Sequence, residues 1–490
     1  MTRLPAVDSS SLALLTDLYE LTMAYGYWKR RLAEHEAVFH LTFRVNPFGG
    51  GYTVAAGLAA AIDCLERLHF TPADTAYLAT LRGNDERPLF DAGFLGFLGQ
   101  LRLSCDLDAM PEGTLVFPQE PLVRVRGPLL QAQLLETLLL NVINFQTLIA
   151  TKAARIVTAA GDEPVLEFGL RRAQGIDGSL SASRAAYLGG CAGTSNVLAG
   201  ALYGIPVKGT HAHSWVMCFS DELEAFREYA EALPNNCVFL VDTYDTLEGV
   251  RHAVEVGREL RGRGCELAGI RLDSGDLTAL SREARRILDA GGFPEAVIYA
   301  SNDLDEYQIE SLKAQGAAID AWGVGTRLVT AFGDPALGGV YKLAAVRAPG
   351  ADWQYKIKLS EQPAKGSLPG VLQVRRFRAG SGAPIADVVY DELQPIPARP
   401  TIVDPLEPAS RQLLPDNAAS EELLVPIFRG GRRVYEPPAL EQIRQRLRQQ
   451  LAMFPAGVRR LAKPQTYFVG LEEGLFDRKT RLAREERHEL

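Results

Sequence analysis

The stretch Gly269-Ile-Arg-Leu-Asp-Ser-Gly-Asp276 reads as the end of a buried strand, a tight turn and the start of a helix. Leu267 to Leu272 is a short apolar run of strand length, Ser274-Gly275 turns the backbone, and Leu277 to Leu288 carries apolar residues at helical spacing. A strand that passes directly into a helix is half of a βαβ unit, which requires a parallel neighbour. The same pattern continues on both sides. Val238 to Val241 precedes a helix over Thr246 to Leu260, Val297 to Ala300 precedes one over Leu304 to Ala314, and Ile319 to Trp322 follows. Upstream, Val165 to Phe168 is a strand, helices are predicted near Ala182 to Leu188, Ser195 to Tyr203 and Glu222 to Ala232, and Ile205 to Val207 reads as a brief buried strand. This alternation predicts an α/β fold with parallel strands. The repeat count favours an irregular TIM-like barrel, although an open doubly wound sheet would read similarly.

The flanking segments differ in texture. Helices are predicted over Leu12 to Trp28, from near Val54, over Ala73 to Leu81, over Phe90 to Leu101 and in the apolar run Leu129 to Phe145. Strands are predicted at Val38 to Val45 and, around a Pro-marked turn, within Gly113 to Arg126. Beyond Gly338 the chain is strand-rich at Val340 to Val346, Gln354 to Leu359, Leu372 to Arg378 and Ile385 to Tyr390. Loops follow near Pro395 to Pro408, then an amphipathic helix near Leu440 to Phe454 and a charge-dense end, Arg478 to Leu490. Three segments result: 1–150, mixed α+β; 151–338, the α/β core; and 339–490, strand-rich then helical. The first and last are expected to pack together as a second α+β domain.

At 490 residues, with 47% hydrophobic and 23% charged residues, the composition is that of an ordinary globular protein of two or three units. A formal net charge of −8 argues against general nucleic-acid binding, so an anionic ligand must meet local Arg and Lys. The six cysteines are scattered without a C-x-x-C pair, which suits a reducing cytoplasm. Met1 to Ser10 has no apolar core of signal-peptide length. Leu129 to Phe145 is interrupted by Gln131, Gln133, Glu136 and Asn141, so it is expected to be a buried helix rather than a membrane span.

The strand ends carry the chemistry. Glu167-Phe-Gly-Leu-Arg-Arg-Ala-Gln174 places an acid and two cations after a strand, with Arg171 and Arg172 adjacent. In the opening stretch Arg271, Asp273 and Asp276 surround Ser274-Gly275; Ser301-Asn302-Asp303 and Gly323-Val-Gly325-Thr326 repeat the logic. Backbone amides at such turns bind phosphate, and nearby carboxylates hold a metal-phosphate or ribose hydroxyls. Any one of these could be a cap, a tight turn or surface charge, but together they favour a polyphosphate ligand. Gly209-Thr-His-Ala-His213 displays a histidine between small residues, and His211-Ala-His213 raises the possibility of zinc. Only His252, in a predicted helix, and His488 follow, so zinc is disfavoured. No P-loop, complete dinucleotide fingerprint or G-x-S-x-G elbow is present.

Seven blocks, in order along nearly the whole chain, resemble the nicotinate phosphoribosyltransferase family: Thr16-Asp-Leu-Tyr-Glu-Leu-Thr-Met23, Phe48-Gly-Gly50, Gly169-Leu-Arg-Arg-Ala-Gln-Gly175, Gly193-Thr-Ser-Asn-Val-Leu-Ala-Gly200, Gly209-Thr-His-Ala-His-Ser214, Arg271-Leu-Asp-Ser-Gly-Asp276 and Leu337-Gly-Gly-Val-Tyr-Lys-Leu343. The resemblance implies a type II phosphoribosyltransferase fold, an irregular α/β barrel joined to a second domain, and a cytoplasmic homodimer. It implies formation of nicotinate mononucleotide from nicotinate and phosphoribosyl pyrophosphate in NAD biosynthesis, with ATP as co-substrate and Mg2+ present. By the same resemblance His213 is the histidine phosphorylated by ATP, Tyr19 packs on the pyridine ring, and Thr210 and Arg271, with Arg171, contact nicotinate. Thr326, with Gly323, Gly325, Ser301, Asn302, Ser274 and Gly275, is placed at the phosphoribosyl pyrophosphate. Asp273 and Asp276 are candidates for steadying magnesium or ribose hydroxyls. Two alternatives are a nicotinamide-using relative and a catalytically idle nucleotide-binding one. Ser195 stands where the nicotinamide-using relatives carry an acid, which favours the carboxylate substrate.

Overall fold

The computed structural model describes residues 12–360, 366–416 and 418–487. The expectations for Met1 to Ser10, His488 and the last three residues of the charge-dense end lie outside these. The chain forms two compact units, Lys152–Pro335 and Met1–Thr151 with Ala336–Leu490.

Lys152–Pro335 is built on six strands: β1 (Val165–Glu167), β2 (Gly193–Thr194), β3 (Val238–Leu240), β4 (Gly269–Leu272), β5 (Val297–Ser301) and β6 (Ala321–Val324). Their order is β2-β1-β6-β5-β4-β3, and every pairing is parallel. A parallel sheet is covered on its faces by crossover helices, so its strands read as continuous apolar runs. Ile270, Leu272, Ile298, Ala300, Trp322 and Val324 are all fully buried. The crossover helices begin at polar caps: Asn196, Asp221, Asp245, Asp276 and Asp305 each accept a first-turn backbone N–H.

The predicted strand at Ile205–Val207 contracts to one parallel bridge, Val207 with Thr194 of β2. Ile205 is buried, but Val207 is 46% exposed. Pro206 has no N–H to extend a ladder, so the contact consists of Thr194 N–H to Pro206 O and Lys208 N–H to Thr194 O, both at 3.0 Å. Four residues on, His211 Nε2 accepts the backbone N–H of Leu240 in β3 at 3.2 Å. Segment 207–211 therefore touches both outer strands of the sheet.

The other unit holds a seven-stranded antiparallel sheet in the order Gln354–Tyr355, Gly339–Arg347, Glu36–Phe43, Val123–Pro128, Asp106–Ala109, Val425–Arg429, Arg432–Arg433. A six-stranded sheet of residues 372–472 accompanies it. The helix expected from Val54 begins at Leu58, because Thr53–Val54 pairs as a strand and Gly57 sits at φ +95°, where a Cβ would meet Val142 O at 2.7 Å. The strand expected over Gln354 to Leu359 stops at Tyr355, and the loop near Pro395 to Pro408 contains the strand Thr401–Val403. Leu129–Ala160 is, among the described residues, the one helical run long and apolar enough to cross a membrane. Leu135, Leu138, Leu139 and Ile143 embed it in an extensive apolar cluster, so it is a core element.

A buried ion pair stitches early and late sequence together in this unit. Arg376 and Asp387 are both fully buried; Arg376 Nε donates to Asp387 Oδ1 at 2.9 Å and Nη2 donates to Leu115 O at 2.8 Å. Tyr467 Oη adds a 2.9 Å bond to Asp387. Removing one partner of such a pair strands a charge without water. Arg376→Met is expected to cost about 3–5 kcal/mol of unfolding free energy, measured by chemical denaturation; a loss below about 1 kcal/mol would show that the pair does not brace the unit.

Candidate functional site

The carboxyl ends of β1, β4, β5 and β6 surround a cavity of about 140 Å3. That is below the ~300–1,000 Å3 of a pocket for a whole drug-sized ligand, so it suits part of one, such as a single ring or phosphate. Its cations are Arg171, Arg172 and Arg271; its carboxylates are Asp273 and Asp303. Phe168, Ser301, Asn302, Gly323, Gly325 and Thr326 complete the wall.

Arg271 is held on three sides. Its Nε donates to Ser301 Oγ at 2.7 Å, Nη1 to Thr210 Oγ1 at 3.1 Å and Nη2 to Asp273 Oδ1 at 2.8 Å. A guanidinium has five N–H groups, so two remain for a ligand. Its carbon lies 5.7 Å from the centroid of the Phe168 ring. Gly323 makes room for that ring, since a Cβ there would come within 2.8 Å of it. Burial raises the Asp273 carboxyl, but the Ser301 hydrogen bond and the Arg271 charge outweigh it and hold it below the usual range.

The turn after β4 depends on Asp242, which the sequence reading passed over. Its Oδ2 accepts Asp273 N–H at 3.0 Å and Ser274 Oγ–H at 2.6 Å, while its buried Oδ1 has no hydrogen-bond partner among the described residues. In Val-Asp-Thr-Tyr-Asp, the visible signal was Asp245, the cap of the next helix. Gly275 supplies φ +80°. Ser274 thus spends its hydroxyl proton on Asp242. Asp276, proposed from sequence as a metal or ribose residue, caps its helix through Oδ1, with Thr278 N–H at 3.0 Å and Ala279 N–H at 3.1 Å. Asp303 lines the cavity instead.

Asn302 has φ 138°, a strained conformation for a residue with a side chain, of the kind found at ligand clamps. Glu167 turns away from the cavity: its Oε2 accepts Ser183 Oγ–H at 2.8 Å and Thr194 Oγ1–H at 2.5 Å, and its Oε1 accepts Gly169 N–H. Arg171 and Arg172 are exposed on the Leu170–Arg172 turn and make no such side-chain hydrogen bond among the described residues.

His213 opens the short helix His213–Val216, with Nδ1 at 3.1 Å from Thr243 Oγ1 and Nε2 left open. His211 is buried beneath it, 8% exposed, with its Nε2 on Leu240 N–H. The two imidazoles serve separate partners, and no group of three metal-binding His, Cys, Asp or Glu side chains occurs among the described residues. Tyr19 lies in the other unit, 45% exposed on the helix Leu18–Lys29. Burial, then the charge of Glu136, pushes its phenol up to about 12, so it is neutral.

Fold and site define an α/β protein that gathers cations and hard oxygen donors at the carboxyl edge of a parallel sheet, as an anion-binding enzyme does. The chain belongs to the nicotinate phosphoribosyltransferase family. Residues 14–144 match the nicotinate phosphoribosyltransferase N-terminal domain, 164–368 the nicotinate phosphoribosyltransferase family and 372–479 its C-terminal domain. It is 44% identical over 475 residues to the nicotinate phosphoribosyltransferase of Bacillus subtilis, covering 96% of this chain and 94% of that protein. The crystal structure of human nicotinic acid phosphoribosyltransferase superposes with a TM-score of 0.84 at 33% identity, covering 95% of this chain and 99% of that one. The nicotinate-nucleotide pyrophosphorylase of Pyrococcus furiosus shares the fold, with a TM-score of 0.67 at 24% identity over 90% of this chain and 96% of that one.

Because Asp242 is the common acceptor of the post-β4 turn, Asp242→Ala is expected to weaken pyrophosphate binding about tenfold or more in calorimetry, while the circular dichroism spectrum stays native. Unchanged affinity would mean that Gly275 and the Asp276 cap shape the turn without it.

Proposed function

We propose that this chain is a nicotinate phosphoribosyltransferase: it forms nicotinate mononucleotide and pyrophosphate from nicotinate and phosphoribosyl pyrophosphate, coupled to ATP hydrolysis through a phosphohistidine, in cytoplasmic NAD biosynthesis. The observation that carries this reading is Arg271, fixed by Thr210, Ser301 and Asp273 with two N–H groups unspent. A buried guanidinium with paired donors is complementary to a carboxylate. Thr210 and Arg271 orient nicotinate, with Arg171 adding charge at the rim. Gly323, Gly325, Thr326 and the strained Asn302 cradle the phosphoribosyl substrate. We take Lys152–Pro335 as the catalytic unit, corresponding to residues 151–338 in the sequence reading, its sheet closing as an irregular barrel through segment 207–211. A homodimer is the proposed assembly.

The pyridine nitrogen has a free lone pair, so it attacks ribose carbon 1 without losing a proton, and pyrophosphate leaves with the bonding electrons. The chain's task is positioning and charge: Arg271 holds the acid, and Asp273, kept ionised, faces the cationic sugar-like transition state. The carboxylates Asp273 and Asp303 offer the hard oxygens that suit magnesium, and would hold an ion carried by the pyrophosphate, where it neutralises leaving-group charge. His213 stands outside the displacement. Its open Nε2 accepts phosphate from ATP, and the added negative charge reorganises the loop and changes affinity for the anionic substrates.

An assay with nicotinate or nicotinamide, each with and without ATP, tests the reading. Nicotinate with ATP is expected to be fastest; equal turnover of both bases would sink the acid preference ascribed to Arg271 and Ser195. Arg271→Ala is expected to cost about 2–4 kcal/mol in nicotinate binding and much less in phosphoribosyl pyrophosphate binding; equal losses would move Arg271 to the phosphate site. His213→Asn is expected to abolish phosphate incorporation from labelled ATP while leaving slow, ATP-independent nucleotide formation. Continued labelling of that variant would remove His213 from the role.

A further inference from the structure

His211 has no part in the reaction just described, yet it is built into the fold with more care than a packing residue needs. Val241 N–H donates to Arg271 O at 3.2 Å, toward β4. Backbone N–H groups of a parallel strand alternate between its two sides, so the Leu240 N–H faces the side of β3 on which, among the described residues, no strand pairs. Leu240 is 1% exposed, so water does not serve that group. The His211 imidazole does, with Nε2 at 3.2 Å. A nitrogen that accepts carries no proton, so the ring hydrogen sits on Nδ1, beside Ala212 O at 3.4 Å. The ring is walled by Tyr229, edge-on at a centroid distance of 4.9 Å, Phe226 at 6.0 Å and Phe239 at 6.3 Å.

The residues on either side are the ones the chemistry needs. Thr210 Oγ1 donates to His211 O at 3.2 Å and accepts from Arg271. His213 bonds Thr243, three residues beyond Leu240. We infer that His211 is a positioning residue for the reaction: as a neutral acceptor of the Leu240 N–H it pins segment 209–213 to the end of β3 and so sets Thr210 toward Arg271 and His213 toward Thr243. The consequences for catalysis rest on the functional reading above; the hydrogen bond and its tautomer do not. Burial, with the nearby Arg271 charge in support, lowers the imidazole to about 4, which keeps the acceptor lone pair available across the neutral range. A lysine or arginine at this position could not accept, and an aliphatic side chain would leave Leu240 N–H stranded.

Three measurements on the full chain decide it. In wild-type protein labelled with 15N-histidine, the His211 resonances, assigned by their loss in a variant, are expected to show an unprotonated Nε2 at pH 7; a protonated Nε2 overturns the inference. His211→Phe keeps an aromatic ring in the same cage without an acceptor. It is expected to speed hydrogen exchange at Leu240 at least tenfold, and to reduce ATP stimulation at least tenfold with a raised KM for nicotinate, while slow ATP-independent turnover persists. Retained Leu240 protection and ATP stimulation would reduce His211 to packing. His211→Gln, whose amide oxygen replaces the acceptor, is expected to recover at least a third of the stimulation and to keep Leu240 protected; fast Leu240 exchange with full activity also overturns the inference. Should the Phe variant not fold, the tautomer and the Gln variant still decide. Should wild-type His213 take up no phosphate, the ATP-coupled reading falls, and the Leu240 exchange and tautomer still judge the role of His211.

Discussion

A guanidinium that is only 14% exposed at the end of a strand needs partners for the N–H groups it turns away from water, and around Arg271 that requirement dictates the local structure. Ser301 arrives from the next strand, β5, Asp273 from the turn that follows Arg271 itself, and Thr210 from a segment far earlier in sequence. Each must reach within about 3 Å of one planar group, so the spacing of β4 and β5 and the path of 207–213 are mutually constrained. The aromatic floor adds a further demand: Phe168 occupies its place only because position 323 has no side chain. Asp273 is ionised because it belongs to this bracket, and the same contact that orients the arginine keeps its negative charge in place.

Where backbone ladders end, side chains take over, and both units use the same device. His211 accepts Leu240 N–H in one unit; in the other, buried His40 accepts Leu372 N–H at 3.2 Å. Burial lowers His40 to about 3, followed by the repulsion of Arg124, as it lowers His211. A neutral imidazole is suited to this, since it combines a lone pair with an apolar body that packs against aromatic and aliphatic neighbours. The stability these two residues give is present above the ordinary histidine pKa of about 6.5 and is lost as pH falls toward their folded values, because the unfolded chain then binds protons that the folded chain excludes.

The α/β alternation was legible because each strand is a short apolar run flanked by a polar cap and an amphipathic helix, all of them local signals. What escaped depends on distant partners. The strand Ala419–Glu422 is four residues long and exists only through pairing with the remote Leu372–Arg378, while the two-residue Arg432–Arg433 closes a local hairpin on Val425–Arg429 across Gly430-Gly431 that the sequence reading passed over. Val207 looked like strand interior by its side chain, but Pro206 and the two-residue β2 leave it a single bridge. In the site, Arg271, Ser301 and the glycine turns were readable from their positions at strand ends. Asp242 was hidden by Asp245, a stronger cap signal three residues on, and Phe168 by its resemblance to an ordinary core residue. Asp276 illustrates the converse: a carboxylate in a ligand-like motif whose accepting oxygen is consumed by two backbone amides.

The fold consumes some polar residues and leaves others over, and that division lets cations gather at one site in a protein of net charge −8. Glu167 is spent on Ser183 and Thr194, Ser274 on Asp242, Ser301 on the Arg271–Asp273 bracket and Asp276 on a helix. Several groups of the strand-end motifs that could accept a hydrogen bond are thus committed to partners within the protein, while Asp273 and Asp303 stay at the cavity. At the cavity three guanidinium groups, Arg171, Arg172 and Arg271, stand against two carboxylates, Asp273 and Asp303, and one of those carboxylates is already paired with Arg271. Motifs that look evenly mixed in sequence shift toward cations once the fold has drawn off several of their acceptors, and the chemistry of the site is set by that remainder, three guanidinium groups with Asp273 and Asp303 beside them.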